Sequence, residues 1–309
     1  MSIKLDSVTV KVPATIANMG PGFDSFGMAV ALHNQFTFAL SEKDELVLDD
    51  AQQAQPELFG MAREVLNDSS SQLLWQALNT VYTACEQSRP PIAISMRCEV
   101  PMSRGLGSSS TAIIAALVAA NHFCGNALSQ NTLLDLAIQL EHHPDNVAPA
   151  LLGGVVFYDT QAYSLPWPKQ WRVLTISPSY PVSTKEARTI LPAQVSMADS
   201  IFNLRKASLL TYALLQADET AIKKALDDRL HQPYRSQLIP EYQALETSML
   251  DAGAYGFIIS GSGPTMACFY PSEIQDSLLQ ALSTVIQGFK VSFECHSLLV
   301  DSVGATIIK

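Results

Sequence analysis

The run Pro101-Met-Ser-Arg-Gly-Leu-Gly-Ser-Ser-Ser110 constrains the fold of this chain more than any other stretch. It follows a clean alternation of apolar residues, Ile92, Ile94, Met96, Cys98 and Val100, which predicts a strand over 91–100 with one buried face. It precedes an Ala-rich apolar stretch that predicts a helix to about Cys124. A strand, a Gly/Ser loop and a helix N-terminus in that order suit an anion. The first-turn amides of a helix lack intrahelical acceptors, and the helix dipole is positive there. Gly105 and Gly107 would let backbone N–H groups approach phosphate oxygens without a Cβ in the way. Ser108, Ser109 and Ser110 add hydroxyls for phosphate or magnesium. The same letters also describe an ordinary strand-to-helix turn with a serine N-cap, and a Gly-x-Gly alone does not separate the two. If the loop does hold phosphate, Gly107→Val is expected to block binding of the phosphate-bearing ligand with little change in thermal stability. Neither G-x-x-x-x-G-K-[ST] nor a third glycine completing G-x-G-x-x-G is present.

Two further clusters carry chemistry. In Glu141-His-His-Pro-Asp-Asn146, Glu141 ends one predicted helix and Pro144 suits the first position of the next, so Asp145 and Asn146 fall in a helical first turn. Carboxylates flanking such a break can hold a metal and face a hydroxyl, although Asp and Asn at a helix start also serve as caps. His142 and His143 lack a third ligand at zinc spacing. Ser260-Gly-Ser-Gly-Pro-Thr265 lies between two β-prone runs and reads equally as a tight hairpin.

The formal charge of −10 disfavours nucleic acid and anionic membrane surfaces as partners, so an anionic substrate needs a locally basic pocket. The longest apolar run, 112–120, is too short to span a bilayer, and the N-terminus has no signal-peptide core. Five dispersed cysteines without a C-x-x-C suggest buried thiols and a cytoplasmic setting. Strands are expected at 5–13, 26–40, 153–158 and 171–177, and helices at 57–66, 72–86 and 131–141. A boundary near Ser164–Pro168 divides the chain into 1–163 and 164–309. Beyond it come helices near 184–191, 199–217, 219–232 and 240–251, then strands at 255–260 and 265–270. A helix near 273–287 and strands at 289–297 and 303–308 finish the chain. Strands and helices without strict alternation indicate an α+β chain of two layered units.

The three blocks resemble, in order and spacing, those of the galactokinase, homoserine kinase, mevalonate kinase and phosphomevalonate kinase (GHMP) superfamily, whose P-x-x-x-G-L-G-S-S block is matched by Pro101–Ser110. Within it the chain is similar to the homoserine kinase family through Val12–Val30, His143–Gly154, Ser183–Pro192 and Gln232–Arg235, a likeness spread over nearly the whole chain. That resemblance implies a ribosomal-protein-S5-like nucleotide domain followed by a ferredoxin-like domain, with the active site between them. It also implies ATP-dependent phosphorylation of the side-chain hydroxyl of L-homoserine, in threonine biosynthesis. Kinases for other small alcohols and non-catalytic ligand sensors share the superfamily, and a homodimer is left open.

By the resemblance, Pro101, Met102, Ser103, Arg104, Gly105, Leu106, Gly107, Ser108, Ser109, Ser110 and Thr111 wrap the ATP phosphates, and Ser109 with Glu141 holds Mg2+. Asn18, Asp24, His143, Arg188, Arg235 and Gly261 hold the amino-acid substrate, with Asp145 and Asn146 near the accepting hydroxyl. Homoserine is a zwitterion, so paired guanidinium groups suit its carboxylate and an acidic side chain its ammonium. Ser183 and Glu186 are expected to form a capping box on the helix carrying Arg188. The proton acceptor is Asp145 or Asp24, or no base acts before the transition state. Two positions depart from the family: His142 stands where glycine is usual, and Gln72 replaces an asparagine that meets the adenine.

Overall fold

The computed structural model describes residues 7–48 and 69–308; the helix expected at 57–66 lies outside them. Strand β1 (Ser7–Ala17) pairs antiparallel along its length with β2 (Phe26–Leu40). The alternation of Val8, Val10 and Val12 is that of a strand with one face inward, and all three are buried. The register shifts at Pro13/Ala14, where proline supplies no ladder N–H. Strand β3 (Glu45–Leu48) runs parallel to β4 (Ile92–Arg97), which pairs with the far half of β2. The near half of β2 pairs with β5 (Val155–Tyr158), and β5 with β6 (Ala162–Leu165). Among the described residues, four helices accompany this sheet: α1 (Ser69–Ala84), α2 (Ser108–Phe123), α3 (Gln130–Glu141) and α4 (Pro144–Leu152). They share an apolar core with it that includes Phe36, Phe38, Leu78, Ile94, Ile113 and Leu117.

The second sheet contains β7 (Trp171–Pro178), β8 (Gly256–Ile259), β9 (Met266–Pro271) and β10 (Phe293–Leu298) in the order β10-β7-β9-β8, every neighbouring pair antiparallel. Between β7 and β8 lie α5 (Thr184–Thr189), α6 (Met197–Gln216), α7 (Glu219–Ala225), α8 (Gln232–Arg235) and α9 (Tyr242–Asp251). Between β9 and β10 lies α10 (Gln275–Ile286). This is the ferredoxin-like arrangement, with the first and third strands of the unit central. The last strand, β11 (Thr306–Ile308), returns to the first sheet as the outer partner of β1.

A further apolar cluster takes Ile16, Val30 and Leu106 from the first unit and Trp171, Leu210 and Phe269 from the second. The units therefore share buried surface.

Three local expectations change. The helix expected over 219–232 stops at Ala225, and a new one starts at Gln232. The Asp228 carboxylate accepts the N–H groups of Leu230, His231 and Gln232, so an aspartate in apparent mid-helix competes for backbone donors and starts the next helix. Ser183 does stand at the N-cap of α5, but its side chain makes no capping bond, so the expected capping box is not formed. The N-cap of α2 is Gly107 rather than a serine.

Candidate active site

The Gly/Ser loop is held from both units. On β2, Asn34 Oδ1 accepts from the N–H groups of Glu99 and Val100, each at 2.9 Å, while its Nδ2 donates to Thr111 Oγ1 at 2.9 Å. The Thr15 N–H donates to the Leu106 carbonyl at 3.0 Å, and the Thr265 N–H to the Arg104 carbonyl at 3.1 Å. Ser260 Oγ donates to the Gly105 carbonyl at 2.5 Å. The 260–265 turn is thus a hairpin between β8 and β9 and also a brace for the loop. Gly107, at φ 67°, caps α2 with no side-chain bond, so no side chain quenches the donors of its first turn. Its α-carbon faces β1 and α4: a Cβ there would lie 2.0 Å from Thr15 Oγ1 and 3.0 Å from Asn146 Oδ1. At Gly105, φ 81°, it would lie 2.3 Å from the Ser260 carbonyl oxygen. Both glycines are required by the protein's own packing, which revises the expectation that Gly107→Val spares stability.

Six residues of the loop line the cleft: Met102, Ser103, Gly105, Gly107, Ser108 and Ser109. Pro101, Leu106, Ser110 and Thr111 are buried and, like Arg104, do not line it. The Thr111 hydroxyl is committed to the Ser108 carbonyl, at 2.7 Å, and to Asn34.

Across the N-terminus of α2 stand the carboxylates. Glu141 closes α3, and Ser109 Oγ donates to its Oε1 at 3.1 Å. Burial pushes the Glu141 carboxyl up, opposed by the hydroxyls of Ser109 and Ser110. His142 is the C-cap at φ 70°, left-handed backbone of the kind that glycine adopts without strain, so the usual glycine and the observed histidine meet the same backbone demand. His143 is the N-cap of α4 and its Nδ1–H donates to the Glu141 carbonyl at 3.1 Å; burial and then the Arg188 charge lower its pKa. Pro144 takes the first turn of α4 as expected. Asn146 accepts from Thr15 Oγ1 at 2.7 Å. Asp145 is 4% exposed, and burial, reinforced by the charges of Asp24 and Glu141, raises its pKa to about 7. The first turn of α4 can come this close because Gly27 of β2 has no side chain; a Cβ there would lie 1.8 Å from the Asp145 carbonyl oxygen.

The ion set lines the same cleft. Arg188 on α5 grips Asp24 with both terminal nitrogens, Nη2 to Oδ1 at 2.9 Å and Nη1 to Oδ2 at 3.3 Å. Asn18 is spent on shape: its Oδ1 accepts the Asp24 N–H at 3.1 Å and its Nδ2 donates to the Gly261 carbonyl at 3.1 Å. Asn18 and Asp24 both lie at positive φ, 70° and 55°. Buried Arg235 on α8 donates from Nη1 to the same Gly261 carbonyl at 2.8 Å and from Nε to the Ala187 carbonyl at 3.3 Å.

One cleft of about 520 Å3 contains Asn18, Asp24, the six loop residues, Glu141, His143, Asp145, Asn146, both arginines and Gly261. Gln72 is exposed on α1 and does not line it, whereas Leu73 does. Lys185 and Ser262 also line the cleft and were not singled out from the sequence, though both sit inside blocks that were. Thr15 lies inside the Val12–Val30 block and Asn34 outside every block, and neither role was legible locally because each acts through partners at least 65 residues away.

Residues 72–154 match the model of the GHMP kinases N terminal domain, and residues 210–286 that of the GHMP kinases C terminal. The homoserine kinase of Nostoc punctiforme is 40% identical, over 97% of this chain and 98% of that protein. The homoserine kinase of Synechocystis is 38% identical, over 98% of this chain and 99% of its own. The crystal structure of homoserine kinase from Cytophaga hutchinsonii superposes with a TM-score of 0.86 at 29% identity, covering 100% of this chain and 99% of the other. Mevalonate kinase from Methanococcus jannaschii has the same fold, with a TM-score of 0.68 at 14% identity over 96% and 99% of the two chains.

Proposed function

Because the chain belongs to the homoserine kinases of the GHMP kinase family, we infer that it transfers the γ-phosphoryl group of ATP to the side-chain hydroxyl of L-homoserine, giving O-phospho-L-homoserine. One observation carries the reading to the residues. A helix N-terminus without a side-chain cap, flanked by a carboxylate, lines the same cleft as an Arg–Asp–Arg set. The first half suits a polyphosphate with its cation. The second suits a zwitterion.

In this reading Arg188 and Arg235 take the α-carboxylate of homoserine, and Asp24 takes its ammonium. Asn18 and Gly261 hold these groups in place, and His143 borders the amino-acid end. The Arg188–Asp24 pair supports it: a zwitterion can give each member a new partner at once, whereas a simple anion would leave Asp24 unpaired. Ser109 and Glu141, hard oxygen donors already 3.1 Å apart, would hold Mg2+. When bound, ATP supplies the transferable phosphoryl group and Mg2+ the charge neutralisation. Asp145, with a carboxyl poised near neutrality, accepts the hydroxyl proton, and Asn146, fixed by Thr15, orients the hydroxyl. Positioning and preorganised charge do the rest.

The same reading keeps a two-unit division close to the expected 163/164, moved past Leu165 because β6 belongs to the first sheet, with β11 given back to the first unit. It assigns the chain to the cytoplasm, on the dispersed cysteines without a C-x-x-C.

ATP consumption measured with L-homoserine, L-serine, L-threonine, mevalonate or no acceptor tests the assignment. Turnover with L-homoserine should exceed every other acceptor. Faster turnover with mevalonate would show that the ion set serves another purpose.

A further inference from the structure

Behind the ion set lies a wholly buried histidine that the catalytic reading does not use. His231 is 0% exposed and precedes α8. Its Nε2 lies 2.8 Å from the Gly20 carbonyl oxygen, and its Nδ1 lies 3.4 Å from Arg235 Nη1. A carbonyl can only accept and a guanidinium can only donate. Nε2 must therefore carry the proton and Nδ1 must accept, so the neutral Nε2–H tautomer alone satisfies both contacts. A second proton on Nδ1 would point at a cation.

We infer that His231 is a positioning residue: as that tautomer it ties the Arg235 guanidinium to the loop between β1 and β2, and so sets the spacing between the group facing the substrate's carboxylate and the groups facing its ammonium. The inference rests on the substrate reading given above. The loop tied at Gly20 is the one that carries Asn18 and Asp24. Its Phe23 ring stacks on His231, with centroids 5.1 Å apart and planes 20° apart. The other side of that linkage is cationic, since Arg235 and Arg188 lie 5.2 Å and 5.8 Å from the Phe23 centroid. His231 is itself anchored. Its N–H donates to Asp228 Oδ2 at 2.8 Å, and Asn203 Nδ2 on α6 donates to Asp228 Oδ1 at 2.7 Å. The 3.6 Å from Nε2 to Asp228 Oδ2 is too long for a hydrogen bond, so the ring stays committed to Gly20. The charged groups that act on the ring are Asp228, Arg235 and Asp24, and burial outweighs the two carboxylates in keeping it neutral.

A histidine that only fills space would affect every substrate alike. A positioning histidine acts on the part of the substrate that Arg235 touches. The test compares kcat/KM for L-homoserine and for 3-amino-1-propanol, its carboxylate-free analogue, in the wild type, His231→Phe and His231→Asn. KM for ATP and thermal melting are recorded alongside. Phenylalanine keeps the ring on Phe23 and removes both nitrogens. Asparagine still offers Arg235 an acceptor but is too short to reach Gly20. In both variants the preference for L-homoserine should fall, by roughly 10- to 100-fold in His231→Phe, as for loss of a hydrogen bond to a charged group. KM for ATP should change little.

An unchanged preference in both variants, or equal losses on both substrates, overturns the inference. If His231→Phe does not fold, His231→Asn decides it alone by the same ratio. A wild type that uses both substrates equally would instead remove the carboxylate reading itself, and that outcome is visible before any substitution is made.

Discussion

In the proposed reaction a single carboxyl, that of Asp145, would couple stability and turnover in opposite directions. Its folded pKa of about 7 lies well above the roughly 3.9 of an unfolded aspartate, chiefly through burial and then through Asp24 and Glu141. Between those values the folded chain binds more protons than the unfolded one, so stability falls as pH rises from about 4 to about 7. Asp145→Asn should therefore raise Tm at pH 8, with a gain on the order of 2–4 kcal/mol, and change it little at pH 4. The same variant should lose the limb of kcat/KM that climbs toward pH 7 in the wild type. Thermal melts and pH–rate profiles check both. Equal Tm shifts at pH 4 and pH 8 would mean that the carboxyl is not perturbed. A group held against its solution preference and stabilised when removed is a common mark of a working site.

At the scale of elements, the Gly/Ser loop is first of all a structural junction. It bonds to β1 through Thr15 and Leu106, and to the β8–β9 hairpin through Arg104, Gly105, Ser260 and Thr265. Gly107→Val should consequently lower Tm in the absence of any nucleotide. The left-handed φ alone costs about 1–2 kcal/mol, and the contact with Thr15 adds to it. Melting of the nucleotide-free variant measures this, and an unchanged Tm would show that β1 and α4 can move aside. ATP affinity by calorimetry, taken below the lowered Tm, then reports the loop's second role separately.

For the molecule as a whole, the chain's end belongs with its beginning. Asp301 Oδ1 accepts the N–H groups of Val303 and Gly304, its Oδ2 lies 2.7 Å from His33 Nε2 on β2, and β11 then covers β1. Burial would raise the Asp301 pKa, but bonds from His33, Gly304 and Val303 outweigh it and hold the carboxyl below its usual range. The stability linked to this depression is present above about pH 4 and is lost as pH falls through the folded value. Asp301→Ala should cost about 1–3 kcal/mol at pH 7, and less at pH 3. Urea melts at the two pH values compare them. A constant cost would assign Asp301 a purely neutral hydrogen-bonding role.

Local chemistry was legible in the residues themselves. The period-two run from Ile92 to Val100, the glycines before a helix and Pro144 opening the next one are near-neighbour effects, set by backbone sterics and unsatisfied amides. Asn18, Asp24, Arg188 and Arg235 could be named from motif blocks. That Asp24 pairs with Arg188, that Asn18 is consumed in bracing Gly261, and that Asp145 is pushed toward neutrality depend on residues up to 243 positions apart. The same holds for Thr15 and Asn34, which look like ordinary strand residues until β1 and β2 meet α2 and α4. Charge state, hydrogen-bond partner and the room for a Cβ are set by what surrounds a residue in space. Only the packing of the two sheets supplied those surroundings.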